Sequence, residues 1–191
     1  MTKEVQLQIG DSAPQIIARD CYGAPVNLAN YRDKHVLLVF MRYSGCPFCN
    51  LAIHRLTLEY KLLAKNGCEV IAFMQSTEAN VKKNIYDRHK IKPPYPIVAD
   101  KNNKFYNLYG VNQSAVAAAR SIKEIPFWLK SVFEYGFRQT ELDGNMLLVP
   151  AMFLVSPGSQ PGEQTIIKAE YGQSFYDHRT FTSIYEPLTF K

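Results

Sequence analysis

A chain of 191 residues is long enough for one domain with a sizeable core and short for two. Its 47% hydrophobic and 20% charged content is that of an ordinary globular protein and excludes collagen-like, mucin-like and disordered classes. The net charge of +5 comes from scattered lysines and arginines, with only short pairs such as Lys82-Lys83, so no basic stripe points to a nucleic-acid partner.

The opening segment, MTKEVQLQIGDSAP, has no apolar h-region, and no run approaches the roughly 18 to 20 apolar residues of a membrane span. A soluble, unexported, cytoplasmic protein without a membrane partner is expected. Four cysteines, Cys21, Cys46, Cys49 and Cys68, are too few for a disulfide scaffold. They are expected to be reduced, and any disulfide is expected to be transient and chemical.

In chain order, residues 15–20 and 26–28 flank the turn Cys21-Tyr-Gly-Ala-Pro25 and read as an N-terminal hairpin. Residues 36–41 form a continuous apolar run of strand length, the pattern of a central strand covered on both faces. From Pro47 the period turns helical. Ile53, Leu56, Tyr60 and Leu63 make one stripe, Leu51, Leu58 and Leu62 another, both expected to be covered, and Asn66-Gly67 supplies the stop. Residues 69–74 are the next buried strand, followed by a helix from Ser76 or Thr77 to about His89. A strand over 95–100, a short helix over 104–109 and Gly110 complete the pattern of an α/β fold with helices on the sheet.

Residues 112–148 predict a helical insertion, with Ala115 to Ile122 favouring helix and an aromatic stretch from Ile125 to Phe137 that starts with Pro126 in a first helical turn. Extra core packing, a cover over a site and a homodimer contact all fit such a segment. Two strands over 151–155 and 164–170 form a closing hairpin, and residues 179–188 suit a final helix.

The chemistry sits in Tyr43-Ser-Gly-Cys-Pro-Phe-Cys-Asn50, where a buried strand turns into a helix. Proline suits the first helical position, where its missing N–H would go unpaired anyway, so Cys46 falls at the N-cap and Cys49 one turn inside. The free N–H groups and the positive helix end favour thiolate over thiol. A thiol pKa of about 8.5 drops to roughly 3.5 to 7.5 in such places. The i, i+3 spacing lets Cys49 attack an oxidised Cys46, so the pair can cycle between dithiol and disulfide. Half of a zinc site and inert core cysteines are the alternatives; no second ligand pair completes a zinc site, and no cofactor is expected. Cys21 and Cys68 read as core cysteines, and His54 lies too far down the helix to be a direct base. Arg42 and Tyr43 are placed to stabilise a thiolate or to donate to a peroxide oxygen.

Gly10-Asp-Ser-Ala-Pro14, Gly23-x-Pro25-Val26-x-Leu28, Phe40-Met-Arg42 and Cys46-Pro-Phe-Cys49, in that order, resemble the peroxiredoxin-like branch of the thioredoxin-fold superfamily, which includes alkyl hydroperoxide reductase and thiol-specific antioxidant proteins. The segment YPIVADKNNKFYNLYGV and the C-terminal Tyr171-Gly-Gln-Ser-Phe-Tyr-Asp-His178 are similar to later parts of the same group. The resemblance implies a thioredoxin-like fold, a central mixed sheet flanked by helices, spanning 1–191 as a single domain. It implies that Val149-Pro150 is the cis-proline segment beside the thiols. It also implies an enzyme reducing peroxides or disulfides through Cys46 and Cys49, restored by a thioredoxin or glutathione-type reductant, with Arg42, Tyr43 and Pro150 at the site. A non-catalytic binding or redox-sensing domain on the same scaffold is the other reading. The sequence departs from the group at one point. The peroxide-binding Pro-x-x-x-Thr-x-x-Cys pattern has Val39 and Tyr43 in place of its proline and threonine when counted from Cys46. This moves weight from peroxidase towards general thiol–disulfide chemistry.

Overall fold

The computed structural model describes residues 6–160 and 162–175. The expected final helix over 179–188 lies outside them. Strands β1 (Ile17–Arg19) and β2 (Pro25–Asn27) form the N-terminal antiparallel hairpin. Its turn is closed by the Asp20 carboxylate, which accepts from Tyr22 N and Ala24 N at 2.9 Å each. The rest of the chain builds a five-stranded mixed sheet from β3 (His35–Met41), β4 (Cys68–Met74), β5 (Ile97–Ala99), β6 (Ala151–Val155) and β7 (Ile166–Tyr171). The strand order is β5-β4-β3-β6-β7, with β3, β4 and β5 parallel and β6 and β7 antiparallel to their neighbours.

The unbroken apolar run of β3 follows from its central place. Leu37, Val39 and Met41 face one core, which they share with Leu51, Ala52, Ile53 and Leu56 of α1 (Pro47–Lys65). Val36, Leu38 and Phe40 face the other, which contains Tyr106 and Tyr109. In that second core Phe40 stacks on Phe73 with centroids 4.5 Å apart and meets Tyr106, Tyr109 and Phe153 edgewise or tilted. Burying each such side chain stabilises the fold by about 1.5–3 kcal/mol, so one strand anchors both layers.

Helix α1 starts at Pro47 and ends where Asn66 N donates to the Leu62 and Leu63 carbonyls, before Gly67 at φ +70°. Its second stripe is covered only in part: Leu51 is buried, whereas Leu58 and Leu62 are more than half exposed. The expectation that both stripes are covered fails because only the N-terminal part of α1 is flanked by the insertion. The helix expected from Ser76 to His89 is a short α2 (Glu78–Val81), capped by Thr77, that widens into a π-turn over Lys82–Tyr86. Helix α3 (Lys104–Leu108) is held by Asp100, whose carboxylate accepts from the N–H groups of Lys104, Phe105 and Tyr106.

The insertion is helical only in its first half: α4 (Ala115–Arg120), a 3-10 turn over Ser121–Glu124, and α5 (Ile125–Phe133) with Pro126 in its first turn. Helix α5 lies against the start of α1, where Ser131 Oγ donates to the Pro47 carbonyl at 2.7 Å. Gly136, at φ +71°, turns the chain, and residues 138–147 then run without helix or paired strand. The expectation of a helical lid over the whole of 112–148 is corrected here. This second half bonds through its backbone and polar side chains to the loops it crosses, which leaves no helical ladder for them to join.

Candidate active site

The thiol loop is the junction of β3 and α1, and every residue from Val36 to Ile53 is buried. Cys46 is the N-cap of α1 with extended backbone, Pro47 follows in the first turn, and Cys49 sits inside it. The turn is closed by Cys46 N donating to the Tyr43 carbonyl at 3.1 Å. Asn50 ties it from within. Its Nδ2 donates to the Ser44 carbonyl at 2.6 Å and to the Cys46 carbonyl at 3.0 Å. That orientation leaves Oδ1 as the acceptor for His89 Nε2 at 3.0 Å, so the imidazole carries its proton on Nε2. His89 is buried and stacks on Phe137 at 4.5 Å. Burial, with the charges of His54 and Arg88, holds its pKa down to about 3, so it is a neutral support for the loop.

Arg42 reaches the sulfur. Its Nη1 donates to Cys46 Sγ at 3.5 Å and its Nη2 to the Met146 carbonyl at 2.5 Å. The guanidinium lies 3.7 Å over the Phe175 ring and 5.3 Å from that of Tyr43. Being itself 4% exposed, it acts on the sulfur with little screening by water.

The two thiols are driven apart. For Cys46, burial opposes the thiolate, but a hydrogen bond from the Cys49 thiol, the charge of Arg42 and the N–H dipoles of Cys49 and Phe48 outweigh it, and its pKa is lowered to about 6. No first-turn N–H is close enough to the Cys46 side chain to count as a cap hydrogen bond, so those N–H groups act as dipoles. Cys49 is pushed well above the ordinary thiol range, first by burial and then by the hydrogen bond it gives and the negative charge beside it. The site therefore holds a thiolate and a proton-bearing thiol one helical turn apart. Cys21 and Cys68 are raised to about 11 and about 12, burial being the main cause, and lie in the core.

Tyr43 lies beside the thiols, but its hydroxyl donates to Gln139 Oε1 at 3.3 Å. Burial and the Cys46 charge keep its phenol protonated. His54 packs on Tyr135 at 4.9 Å, away from the thiol pair. Pro150 stands one residue beyond the last β3–β6 pair, Phe40 with Ala151, at the sheet end that carries Arg42. No cis peptide bond occurs among the described residues, so Val149-Pro150 is trans, against the expectation. The chain enters β6 from the insertion, with Val149 N donating to the Asn112 carbonyl at 3.2 Å, and takes the isomer that X-Pro bonds prefer.

Sequence reasoning passed over Asn50 and His89, Gln75, whose N–H donates to the Arg42 carbonyl, Asn84, whose Nδ2 donates to Ser44 Oγ, and Asp143, which reaches the loop through Ser76. Asn50, a lone amide in an apolar helix start, was the one local signal. Among the described residues no three His, Cys, Asp or Glu side chains gather as a metal site, and no helix is long and apolar enough to cross a membrane.

Residues 9–159 match the AhpC/TSA family. Over 123 residues the chain is 27% identical to peroxiredoxin 2 of Caldanaerobacter subterraneus subsp. tengcongensis, covering 62% of this chain and 54% of that one. Over 110 residues it is 27% identical to the thiol-disulfide oxidoreductase ResA of Bacillus thuringiensis subsp. konkukian, covering 58% and 62%. The chain thus spans between half and two thirds of the length of these curated relatives. The thioredoxin domain of a thiol-disulfide oxidoreductase from Bacteroides vulgatus superposes with a TM-score of 0.54 at 20% identity, covering 96% of this chain and all of that one, which makes the fold thioredoxin-like.

Proposed function

This chain belongs to the AhpC/TSA family, and from that premise we propose that it is a thiol-dependent oxidoreductase working through a Cys46/Cys49 dithiol–disulfide cycle. The observation that carries the reading is the Arg42 guanidinium 3.5 Å from Cys46 Sγ, with Cys49 held protonated beside it.

With a disulfide R–S–S–R′, the Cys46 thiolate attacks one sulfur, the S–S bond breaks, and R′S⁻ leaves as Cys46–S–S–R forms. Cys49 gives up its proton and attacks Cys46 Sγ, expelling RS⁻ and closing the Cys46–Cys49 disulfide. The substrate has gained two electrons and the protein has lost them. With a hydroperoxide, the thiolate takes the distal oxygen, ROH leaves after gaining a proton, and Cys49 displaces water from the sulfenic acid. An external thiol reductant, one dithiol of the thioredoxin type or two monothiols of the glutathione type, is oxidised to its disulfide and returns both thiols in a cytoplasmic setting.

Arg42 stabilises the attacking thiolate and, later, the same charge when Cys46 is the leaving group. Tyr43 stands where the family's peroxide-binding threonine would be, and its hydroxyl is taken by Gln139. That geometry favours disulfides over peroxides as the substrate class.

The test is turnover of a model disulfide and of hydrogen peroxide with a dithiol donor, in wild type, Cys46→Ser and Cys49→Ser. The expected result is loss of turnover in both variants, with a mixed disulfide or sulfenic acid trapped on Cys46 in Cys49→Ser alone. A wild-type protein that consumes neither substrate with any donor overturns the proposal and leaves a non-catalytic domain.

A further inference from the structure

Cys46 is 1% exposed and Cys49 not at all, although attack needs a substrate atom about 3 to 3.5 Å from the sulfur. The non-helical half of the insertion lies against the loop that carries Cys46. Thr140 N donates to the Gly45 carbonyl at 3.2 Å, and a Cβ on Gly45 would lie 2.5 Å from the Glu141 carbonyl oxygen. A Cβ on Gly144 would lie 2.7 Å from Tyr43 Cβ, and Met146 gives its carbonyl to Arg42. The segment therefore presses on Arg42, Tyr43 and Gly45, the residues around Cys46.

Its hold is polar and local. Phe137 and Leu148 anchor the two ends in the core, but between them no apolar side chain is buried, and Leu142, Met146 and Leu147 stand at least 40% exposed. The Asp143 side chain makes three of the segment's ties, beside those of Gln139 to Tyr43, Thr140 to Asn84, Glu141 to Lys83 and Asn145 to Gln75. The Asp143 carboxylate accepts from Ser76 Oγ at 2.8 Å, Asn80 Nδ2 at 2.7 Å and Thr77 N at 3.2 Å. Ser76 Oγ in turn accepts from Ser44 N at 2.9 Å, which links the fastening to the thiol loop. A segment with buried ends and a solvent-facing middle, held by polar ties rather than by apolar packing, opens at a fraction of the cost of global unfolding.

We propose that residues 138–147 are a strap that gates Cys46, with Asp143 as its latch, so that a disulfide substrate reaches the sulfur only when the strap lifts. This regulation rests on the thiol-exchange reading above, but its test does not depend on that reading. The experiment alkylates reduced full-length protein with iodoacetamide and with a bulky maleimide, over a pH series, and reads the Cys46 adduct by mass. Rates are expressed per thiolate from the titration midpoint of each variant.

The folded wild type is expected to react at least about tenfold more slowly per thiolate than the urea-unfolded chain. Asp143→Ala is expected to speed both reagents about tenfold, and Asn80→Ala, which removes one tie from outside the strap, about threefold, each with the midpoint unchanged. If Asp143→Ala does not melt cooperatively, Asn80→Ala decides. Wild type reacting as fast per thiolate as the unfolded chain, or a deciding variant that folds and reacts at the wild-type rate, overturns the gate. A midpoint near that of a free thiol would instead overturn the activated-thiol reading while leaving the rate ratios to judge the strap.

Discussion

Removing the charge of Arg42 tests what sets the reactivity of Cys46. At the observed 3.5 Å and an effective dielectric of about 20, a unit charge attracts the thiolate by about 5 kcal/mol. The guanidinium spreads its charge over three nitrogens, and opposite charges at such range shift a pKa by about 1–3 units. A shift of about 2 units, or about 2.7 kcal/mol, is therefore expected for Arg42→Met. The Cys46 midpoint would rise from about 6 to about 8, and the thiolate share at pH 7 would fall from about 90% to about 10%. The assay is iodoacetamide alkylation against pH, reading the midpoint, because loss of the Met146 tie also loosens the strap and raises the plateau. Arg42→Lys keeps a charge without the two-pronged geometry and should fall between. A midpoint that moves by less than about half a unit in Arg42→Met would refute the electrostatic account and leave burial and helix dipoles to explain the site.

Other outcomes follow from the same structure. His89 stays neutral when folded down to about pH 3, whereas in an unfolded chain it protonates near 6.5. The unfolded state thus binds the extra proton in between, and stability is lost as pH falls from about 6.5, by up to about 1.4 kcal/mol per unit; urea melts of His89→Gln should show a shallower acid slope. Gly144→Ala forces a Cβ to 2.6 Å from the Gln75 carbonyl and 2.7 Å from Tyr43 Cβ, and should cost about 1–3 kcal/mol in urea unfolding or displace the strap. Phe40→Ala opens the aromatic core at the centre of the sheet and should cost about 3–5 kcal/mol, with the denaturant slope unchanged.

The parts of the fold that could be read from the sequence are those whose signals are local. The apolar run over 36–41, Pro47 after Cys46, and Asn66-Gly67 each impose one conformation, and β3 and α1 stand where they were expected. The position of Cys46 at a helix start came from the same signals. The strap did not, because residues 138–147 have no period and take their shape from the loops they cross. Asp143 finds its partners on Ser76, Thr77 and Asn80, more than sixty positions away. Asn50 and His89 meet across 39 positions, and no pattern in either segment marks that contact. The cis isomer before Pro150 is an expectation from resemblance alone, and the bond is trans.

At neutral pH Cys46 is a thiolate while Cys49 keeps its proton. Titrating the ultraviolet thiolate absorbance of the reduced protein tests it directly. The expected curve has one group with a midpoint near 6, absent in Cys46→Ser and still well below the free-thiol value in Cys49→Ser, where Arg42 remains. A protein in which no cysteine titrates below about 8, the range of an ordinary thiol, would contradict it.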